Sequence, residues 1–479
     1  MYLGLDLGTS GLKGLVINDG GAVVAEASAP LTVARPHPGW SEQDPADWIA
    51  AAESVLHALA GQIDMAAIAG IGLSGQMHGA TVLDASDKVL RPCILWNDTR
   101  AHLEASELDA DPRFRAISGN IVFPGFTAPK LVWMARNEPD LFARAAKVLL
   151  PKDYLRLWLT GSHVAEMSDA AGTSWLDVGA RDWSDDLLTA TGLTRDHMPA
   201  LVEGTAPSGG LRAALATEFS LTPGTPIAGG AGDNAATAIG MGIARGGQGF
   251  VSLGTSGVLF AATNGYAPAP ETAVHTFCHA LPGQWHQMGV ILAATDALNW
   301  FARLAGQSPA DLTADLGPLQ APGRALFLPY LGGERTPLNS ASIRGAFIGL
   351  EHATDRDAAT RAVLEGVVFA LKDCQDALAA TGTKLDTLIA AGGGARSDYW
   401  LTALATALDL PILVPEAGDY GAALGAARLG QMAATGAGVE AMPLPPIARE
   451  ISPQTPLTAA FIDAHKRFKA AQSAIKDLT

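Results

Sequence analysis

Short apolar stretches separated by glycine-rich turns set the pattern from the first residues. Tyr2-Leu3-Gly4-Leu5 precedes a run of small residues, Gly8-Thr9-Ser10-Gly11, and an apolar stretch over 12–17 follows, which predicts a β-hairpin. Asn18-Asp19-Gly20-Gly21 predicts a second tight turn, with a third strand over 22–26. Asp44-Pro45 marks a helix start through Trp48 and Val55, with aspartate as cap and proline in the first turn. Residues 68–73 predict a buried strand ending in Ser74-Gly75-Gln76-Met77-His78-Gly79. A hairpin around Ala85-Ser86-Asp87 leads to Ile94-Leu95-Trp96-Asn97-Asp98. Helical patterns are expected over 130–159 and 184–193. Near the middle, Ile227-Ala228-Gly229-Gly230-Ala231-Gly232-Asp233 ends a strand, and an alanine-rich helix begins at Asn234.

The second half repeats this plan. Leu7-Gly8-Thr9-Ser10-Gly11 reappears as Leu253-Gly254-Thr255-Ser256-Gly257, again between two apolar stretches. A helix over 357–379, a strand over 388–391 running into Gly392-Gly393-Gly394, a helix from near Ser397 and a Gly/Ala-rich loop and helix over 418–430 follow. Alternating strands and helices predict α/β architecture with mixed sheets. The halves divide near 243–249, where Gly246-Gly247-Gln248-Gly249 reads as a hinge. That gives one domain over 1–244 and another over 245–479.

Composition narrows the class. With 479 residues, 48% hydrophobic and 17% charged, the chain can fill at least two cores. A net charge of −16 argues against nucleic acid or an anionic membrane surface as partner. Three scattered cysteines without CxxC spacing fit a reduced, cytoplasmic compartment. No signal peptide and no membrane span are expected.

Chemistry concentrates at strand ends. Two turns of small residues with hydroxyls and backbone N–H groups can hold anionic oxygens, one per half. Asp6 stands directly before the first turn. It either stabilises the turn or meets phosphate through Mg²⁺, which takes one or two carboxylates. Asp233 reads as a helix cap or as a general base toward an attacking hydroxyl. Met77-His78 at a strand end reads as a sugar contact or, for the histidine, as a satisfied structural group. Gly392-Gly393-Gly394 admits a nucleotide edge or serves tight packing; neither GxGxxG nor GxxxxGK[ST] occurs. The spacing of His275, Cys278, His279 and His286 matches none of the common zinc patterns.

Taken together, these residues resemble the FGGY family of carbohydrate kinases, and within it the members acting on D-xylulose. The stretches that carry the resemblance run over nearly the whole chain. They include residues 4–13, Gly39-Trp40-Ser41-Glu42-Gln43-Asp44-Pro45, Gly75-Gln76-Met77-His78-Gly79-Ala80, Trp96-Asn97-Asp98-Thr99-Arg100, residues 119–126, Gly232-Asp233-Asn234, Gly332-Gly333-Glu334-Arg335-Thr336-Pro337 and residues 392–400. The resemblance implies a two-domain ribonuclease-H-like fold of the actin, hexokinase and sugar-kinase type, with the active site in the interdomain cleft. It implies ATP- and Mg²⁺-dependent phosphorylation of D-xylulose to D-xylulose 5-phosphate. The N-terminal domain would bind sugar and catalyse, and the C-terminal domain would bind nucleotide.

By the same resemblance, Asp233 is the base and Asp6 the carboxylate near metal and phosphoryl group. Met77, His78, Asp233 and Asn234 are the sugar side. Gly8, Thr9, Ser10, Lys13, Gly254 and Thr255 are the phosphate side, and Gly393 and Gly394 the adenosine side. A homodimer is common in the family. Kinases of ribulose, gluconate or glycerol, and a non-catalytic actin-like nucleotide switch, are the alternatives.

Overall fold

Small and apolar residues at the start of the chain build a hairpin of β1 (Tyr2–Leu7) and β2 (Gly11–Ile17), and β2 pairs on with β3 (Val23–Pro30). The computed structural model describes residues 1–416 and 421–476. On the other side of β1 lies β4 (Gly70–Gly75), parallel to it and buried along its whole length. β5 (Pro207–Gly210) and β6 (Pro226–Ala228) form the outer antiparallel pair, with β6 parallel to β4. β7 (Ala231–Gly232) pairs parallel with the end of β4.

The second sheet contains β8 (Gly247–Leu253), β9 (Gly257–Thr263), β10 (His275–Cys278), β11 (Trp285–Ile291), β12 (Leu385–Ala391), β13 (Ile412–Pro415) and β14 (Ile447–Ile451). Its order is β10-β11-β9-β8-β12-β13-β14, against β5-β6-β4-β1-β2-β3 in the first. Antiparallel strands follow in succession on one side, β1-β2-β3 in the first sheet and β8-β9-β11-β10 in the second; each sheet has two parallel strands on the other side and an antiparallel edge beyond. This is the ribonuclease-H-like strand order, occurring twice. The repeated pentapeptide therefore forms the same turn at the same place in each sheet.

α1 (Pro45–Ala60) covers the first sheet. Asp44 caps it, accepting from Ala46 N at 2.9 Å, and Trp48, Val55 and Leu59 bury against Leu3, Leu5 and Leu12. α2 (Pro151–Thr160) and α3 (Asp233–Gly240) follow in the first half, and α4 (Thr295–Ala305), α5 (Arg356–Ala380) and α6 (Asp398–Leu408) in the second. The next helix, α7 (Ala422–Thr435), belongs to the second half by sequence but packs on β1, β2, β4 and β6 and along α3. Small residues make this possible: a Cβ on Gly72 would lie 1.7 Å from Ala426 O, and one on Gly425 only 1.8 Å from Ala236 O.

One expectation changes. The region 130–159 is not continuously helical, because a strand over Lys147–Leu149 pairs with Thr81–Leu83. The reason is local: Pro151 disfavours helical backbone in the residue before it, so α2 starts anew there. The glycine run at 246–249 is tied into its surroundings. Gly247 opens β8, Gln248 Oε1 accepts from Ala244 N and Arg245 N, and Gly246 N donates to Asn264 Oδ1. Of the loop and helix at 418–430, Gly418 lies outside the described residues, and the helix starts at Ala422. Among the described residues no helix is long and apolar enough to cross a membrane.

The contact between α7 and the first sheet leaves no room for a methyl group at position 72. Gly72→Ala should destabilise the protein by about 3 kcal/mol or more, at the upper end of overpacking effects because backbone is struck. Thermal unfolding measures this; a variant that melts with the wild type contradicts it.

Candidate active site

Three parallel strands of the first sheet end in one row. Leu7 on β1 and Gly232 on β7 are both in register with Gly75 on β4. The sequence-predicted chemistry stands just past these ends: the Gly8–Gly11 turn after β1, Gln76-Met77-His78 after β4, and Asp233 after β7. Ligands collect beyond the carboxyl ends of parallel strands, where side chains and loop N–H groups converge. In the second sheet β8 and β12 end likewise, Ser252 opposite Ala391, so the Gly254-Thr255 turn adjoins Gly392-Gly393-Gly394.

Asp233 is the first residue of α3 and half-buried. It does not cap the helix through its side chain, since the cap position is Gly232. Its Oδ1 accepts from Asn234 N at 2.7 Å and Asn234 Nδ2 at 3.0 Å. Burial raises its pKa above the usual 3.8, and the two Asn234 hydrogen bonds oppose that rise. Behind it the chain is fixed by buried groups. Arg156 donates to Ala228 O and Gly229 O, and Gly232 N donates to Ser168 Oγ, which in turn donates to Glu166. At the far end of α3, Arg428 of α7 donates to Ile239 O and Gly240 O.

His78 adopts a left-handed backbone (φ 68°), and its carbonyl accepts from Thr127 Oγ1 at 3.1 Å and Lys130 Nζ at 2.9 Å. Its ring stacks on Phe126 with centroids 4.4 Å apart. Nδ1 lies 2.7 Å from Gly172 O, a carbonyl that can only accept. Burial lowers its pKa to about 3, so the ring is neutral at pH 7, Nδ1 carries the proton, and Nε2 is an acceptor. Gly172 admits the ring: a Cβ there would lie 2.4 Å from it. Met77 fills the space between this ring and Gly232.

Met77, His78, Asp233 and Asn234 line one cavity of about 240 Å³, together with Trp96 from the first half. The second half contributes Ser256, Val258, His275, Phe277, Met288, Val290 and Arg335. Ser256 belongs to the repeated turn, so sugar-side and phosphate-side candidates meet in this cavity. Asn234 also orients the Asp233 carboxylate.

The phosphate-side residues divide. Gly8 N is spent on Gly11 O at 3.0 Å, closing the first turn, whereas the N–H groups of Thr9 and Ser10 have no acceptor among the described residues. Thr9 Oγ1 donates to Gln76 Oε1 at 3.1 Å and accepts from Trp96 Nε1 at 2.9 Å. Gln43 accepts from Gln76 Nε2 and Trp48 Nε1 and donates to Thr9 O, tying this turn to the cavity wall. In the second turn, Gly254 O and Thr255 O accept from the N–H groups at the start of α4. Asp6 sits one residue before the end of β1, in register with Lys13 and Ser74.

Lys13 is not brought into the Asp233 cavity. It pairs with Glu26 at 3.3 Å and lines a separate cavity beside Leu424 and Arg428. Gly393 lines a cavity of about 530 Å³ with Arg396, Glu416 and Arg449. Gly394 packs instead against Leu253 and the Trp400 ring.

Sequence reasoning missed Gln43, Gln76, Trp96, Ser256 and Arg335 as individual site residues, although four of them lie in stretches quoted for the resemblance. Ser256 is part of the repeat itself. In sequence, His275 stands out only as a candidate metal ligand. It lines the cavity and stacks on Phe277. Among the described residues no three of His275, Cys278, His279 and His286 converge on one point at ligating distance.

Residues 1–240 match the N-terminal domain of the FGGY family of carbohydrate kinases, and residues 249–434 match its C-terminal domain. The chain is 48% identical to the xylulose kinase of Escherichia coli K12, covering 98% of this chain and 96% of that one. A crystal structure described as a xyloylose kinase from Brucella ovis superposes with a TM-score of 0.98 at 62% identity, covering 100% of both chains. The xylulose kinase of Rhodospirillum rubrum gives 0.94 at 29% identity, covering 100% of this chain and 99% of that one. With the duplicated sheet and the cleft that both halves line, these matches show that the chain belongs to the FGGY family of carbohydrate kinases.

Proposed function

We propose that the protein transfers the γ-phosphoryl group of ATP to O5 of D-xylulose, giving D-xylulose 5-phosphate and ADP. The observation that carries this reading is the shared cavity, lined by a half-buried carboxylate, a neutral histidine and a serine of the second repeated turn. The xylulose kinases to which the chain is similar support the choice of sugar.

Asp233 takes the proton from O5 as O5 attacks the γ-phosphorus. The O5–P bond forms, the bond from that phosphorus to the β–γ bridging oxygen breaks, and ADP leaves. A carboxylate of raised pKa is the stronger base for this transfer. His78 Nε2 accepts from another sugar hydroxyl and, with Met77, holds the sugar in register. The N–H groups of Thr9 and Ser10, with the Thr255 turn opposite, donate to phosphate oxygens; such transfer depends on positioning and charge stabilisation. Gly393 offers its backbone to the adenosine side.

The donor set fits Mg²⁺, because Asp6, Asp233, Thr9 and Ser10 present only oxygen. Asp6 would hold the ion, which when bound supplies charge neutralisation at the phosphates. The reading assigns sugar binding and catalysis to 1–244 and nucleotide binding to 245–479. A homodimer and a cytoplasmic setting, implied by the family, belong to the same proposal.

Coupled measurement of ADP release over a panel of sugars and polyols tests the reaction. Release should require a sugar and be most efficient with D-xylulose. Faster turnover with ribulose, gluconate or glycerol, or turnover independent of any sugar, contradicts it.

Asp233→Asn should lower kcat by about 10²–10⁴-fold, the usual contribution of a general base. Its melting temperature at neutral pH should not fall. Because burial raises the folded-state pKa, the aspartate favours folding only while protonated, and that contribution is lost as pH rises through the folded value; the amide carries no charge to desolvate. A variant that melts well below the wild type, or retains near-normal turnover, contradicts the assignment. In the wild type, kcat/KM should fall on the acid side with an apparent pKa above 3.8, where Asp233 gains its proton.

A further inference from the structure

The cavity has two ends of different character. Asp233, Asn234, Ser256 and Trp96 form the phosphoryl end, since Trp96 donates to Thr9 of the first turn and Ser256 lies in the second. His78, His275, Phe126, Phe277 and Phe123 cluster at the other through ring contacts of 4.4–5.9 Å. Met77 lies between His78 and the strand end before Asp233.

Arg335 reaches this second end from the other half of the chain. Its guanidinium lies over the Phe123 ring, 4.6 Å from the centroid, and Nη1 is 3.4 Å from His275 Nε2. Among the described residues no carboxylate oxygen comes within 4.0 Å of the guanidinium. The neighbouring Glu334 does not pair with it: its Oε1 accepts from Leu292 N and from the Arg335 backbone N. Thr336 fixes the backbone beside it through hydrogen bonds in both directions with Val290.

A 2-ketose presents hydroxyls, which both donate and accept, and one carbonyl oxygen, which only accepts. The acceptors Asp233 and His78 Nε2 serve hydroxyls and repel a carbonyl. The carbonyl needs a donor. Trp96 Nε1 is engaged with Thr9, and Asn234, one of whose two Nδ2 N–H groups is on Asp233, sits with Ser256 at the phosphoryl end. Arg335 alone among the side chains lining the cavity brings several N–H donors to the far end, in a fork that spans two neighbouring oxygens.

We infer that Arg335 is the specificity residue for the ketose group, donating to the C2 carbonyl oxygen and an adjacent hydroxyl so that a 2-ketose is preferred to the pentitol made by reducing it. This rests on the sugar-kinase reading of the same cavity.

The test compares D-xylulose with the pentitols reduced at C2, using wild type, Arg335→Met and Arg335→Lys. Arg335→Met should lose about 10- to 100-fold in kcat/KM for D-xylulose, the range for a hydrogen bond to a charged donor. It should lose less than about 10-fold for the pentitols, whose hydroxyl can donate to other groups. The ketose-to-pentitol ratio therefore falls, while ADP affinity stays at the wild-type value. Arg335→Lys, which keeps one charged donor and guards against misfolding of the methionine variant, should recover part of the ratio. Equal losses on ketose and pentitol, or no loss on either, overturn the assignment. A wild-type enzyme inert on every pentulose overturns the functional reading itself, and this one with it.

Discussion

The site depends on the close contact of α7 with the first sheet and with α3. This helix comes from the far end of the chain, yet it lies where no larger side chain would let it, with glycines at 4, 72 and 425 facing backbone at the interface. It holds α3 from two directions, by backbone approach at Ala236 and by the Arg428 guanidinium on the carbonyls that end α3. A cation at a helix C-terminus is favourable for the same reason that free carbonyls collect there. Since α3 opens with Asp233, the packing that joins the two halves also sets the height of this carboxylate above the strand ends.

Around that contact the fold is a duplication with its symmetry broken by chemistry. Each sheet presents the same turn at the end of its first strand. The first copy has Asp6 before it, its Thr9 hydroxyl is engaged with Gln76 and Trp96, and its Thr9 and Ser10 N–H groups have no acceptor among the described residues. The second has Ser252 in the place of Asp6, and its carbonyls are turned to the start of α4. Both turns are built of small neutral residues; under the proposed reading a chain of net charge −16 holds phosphate without a concentrated basic patch. The cavity that both halves line follows the same economy of charge, with histidines made neutral by burial and one guanidinium beside His275.

Much of this was legible in the sequence because it is local. The hairpin strands, the Asp44 cap, the turn residues and the strand ends before Met77 and Asp233 are written in contiguous residues. The repeated pentapeptide marks the duplicated sheet in the sequence itself. What could not be read was set by distant partners. Nothing near Lys13 says that it faces Glu26 and the α7 side. Gly394 is adjacent to Gly393 but packs on Leu253 because β8 and β12 are neighbours. The hydrogen bonds that Gln248 and Asn264 supply around 246–249 are likewise not revealed by a run of glycines. Gln43 and Gln76 join the phosphate turn to the cavity only through side chains meeting across three segments.

The central claim is that both repeated turns and Asp233 address a single reacting phosphoryl group. A crystal structure with D-xylulose and a non-hydrolysable ATP analogue tests it most directly. The account predicts the γ-phosphate between the Thr9 and Thr255 turns and the adenosine beside Gly393. It also predicts sugar O5 within hydrogen-bond reach of Asp233, about 2.6–3.2 Å. A nucleotide bound away from the second turn, or a sugar with O5 turned from Asp233 in the closed complex, would contradict it.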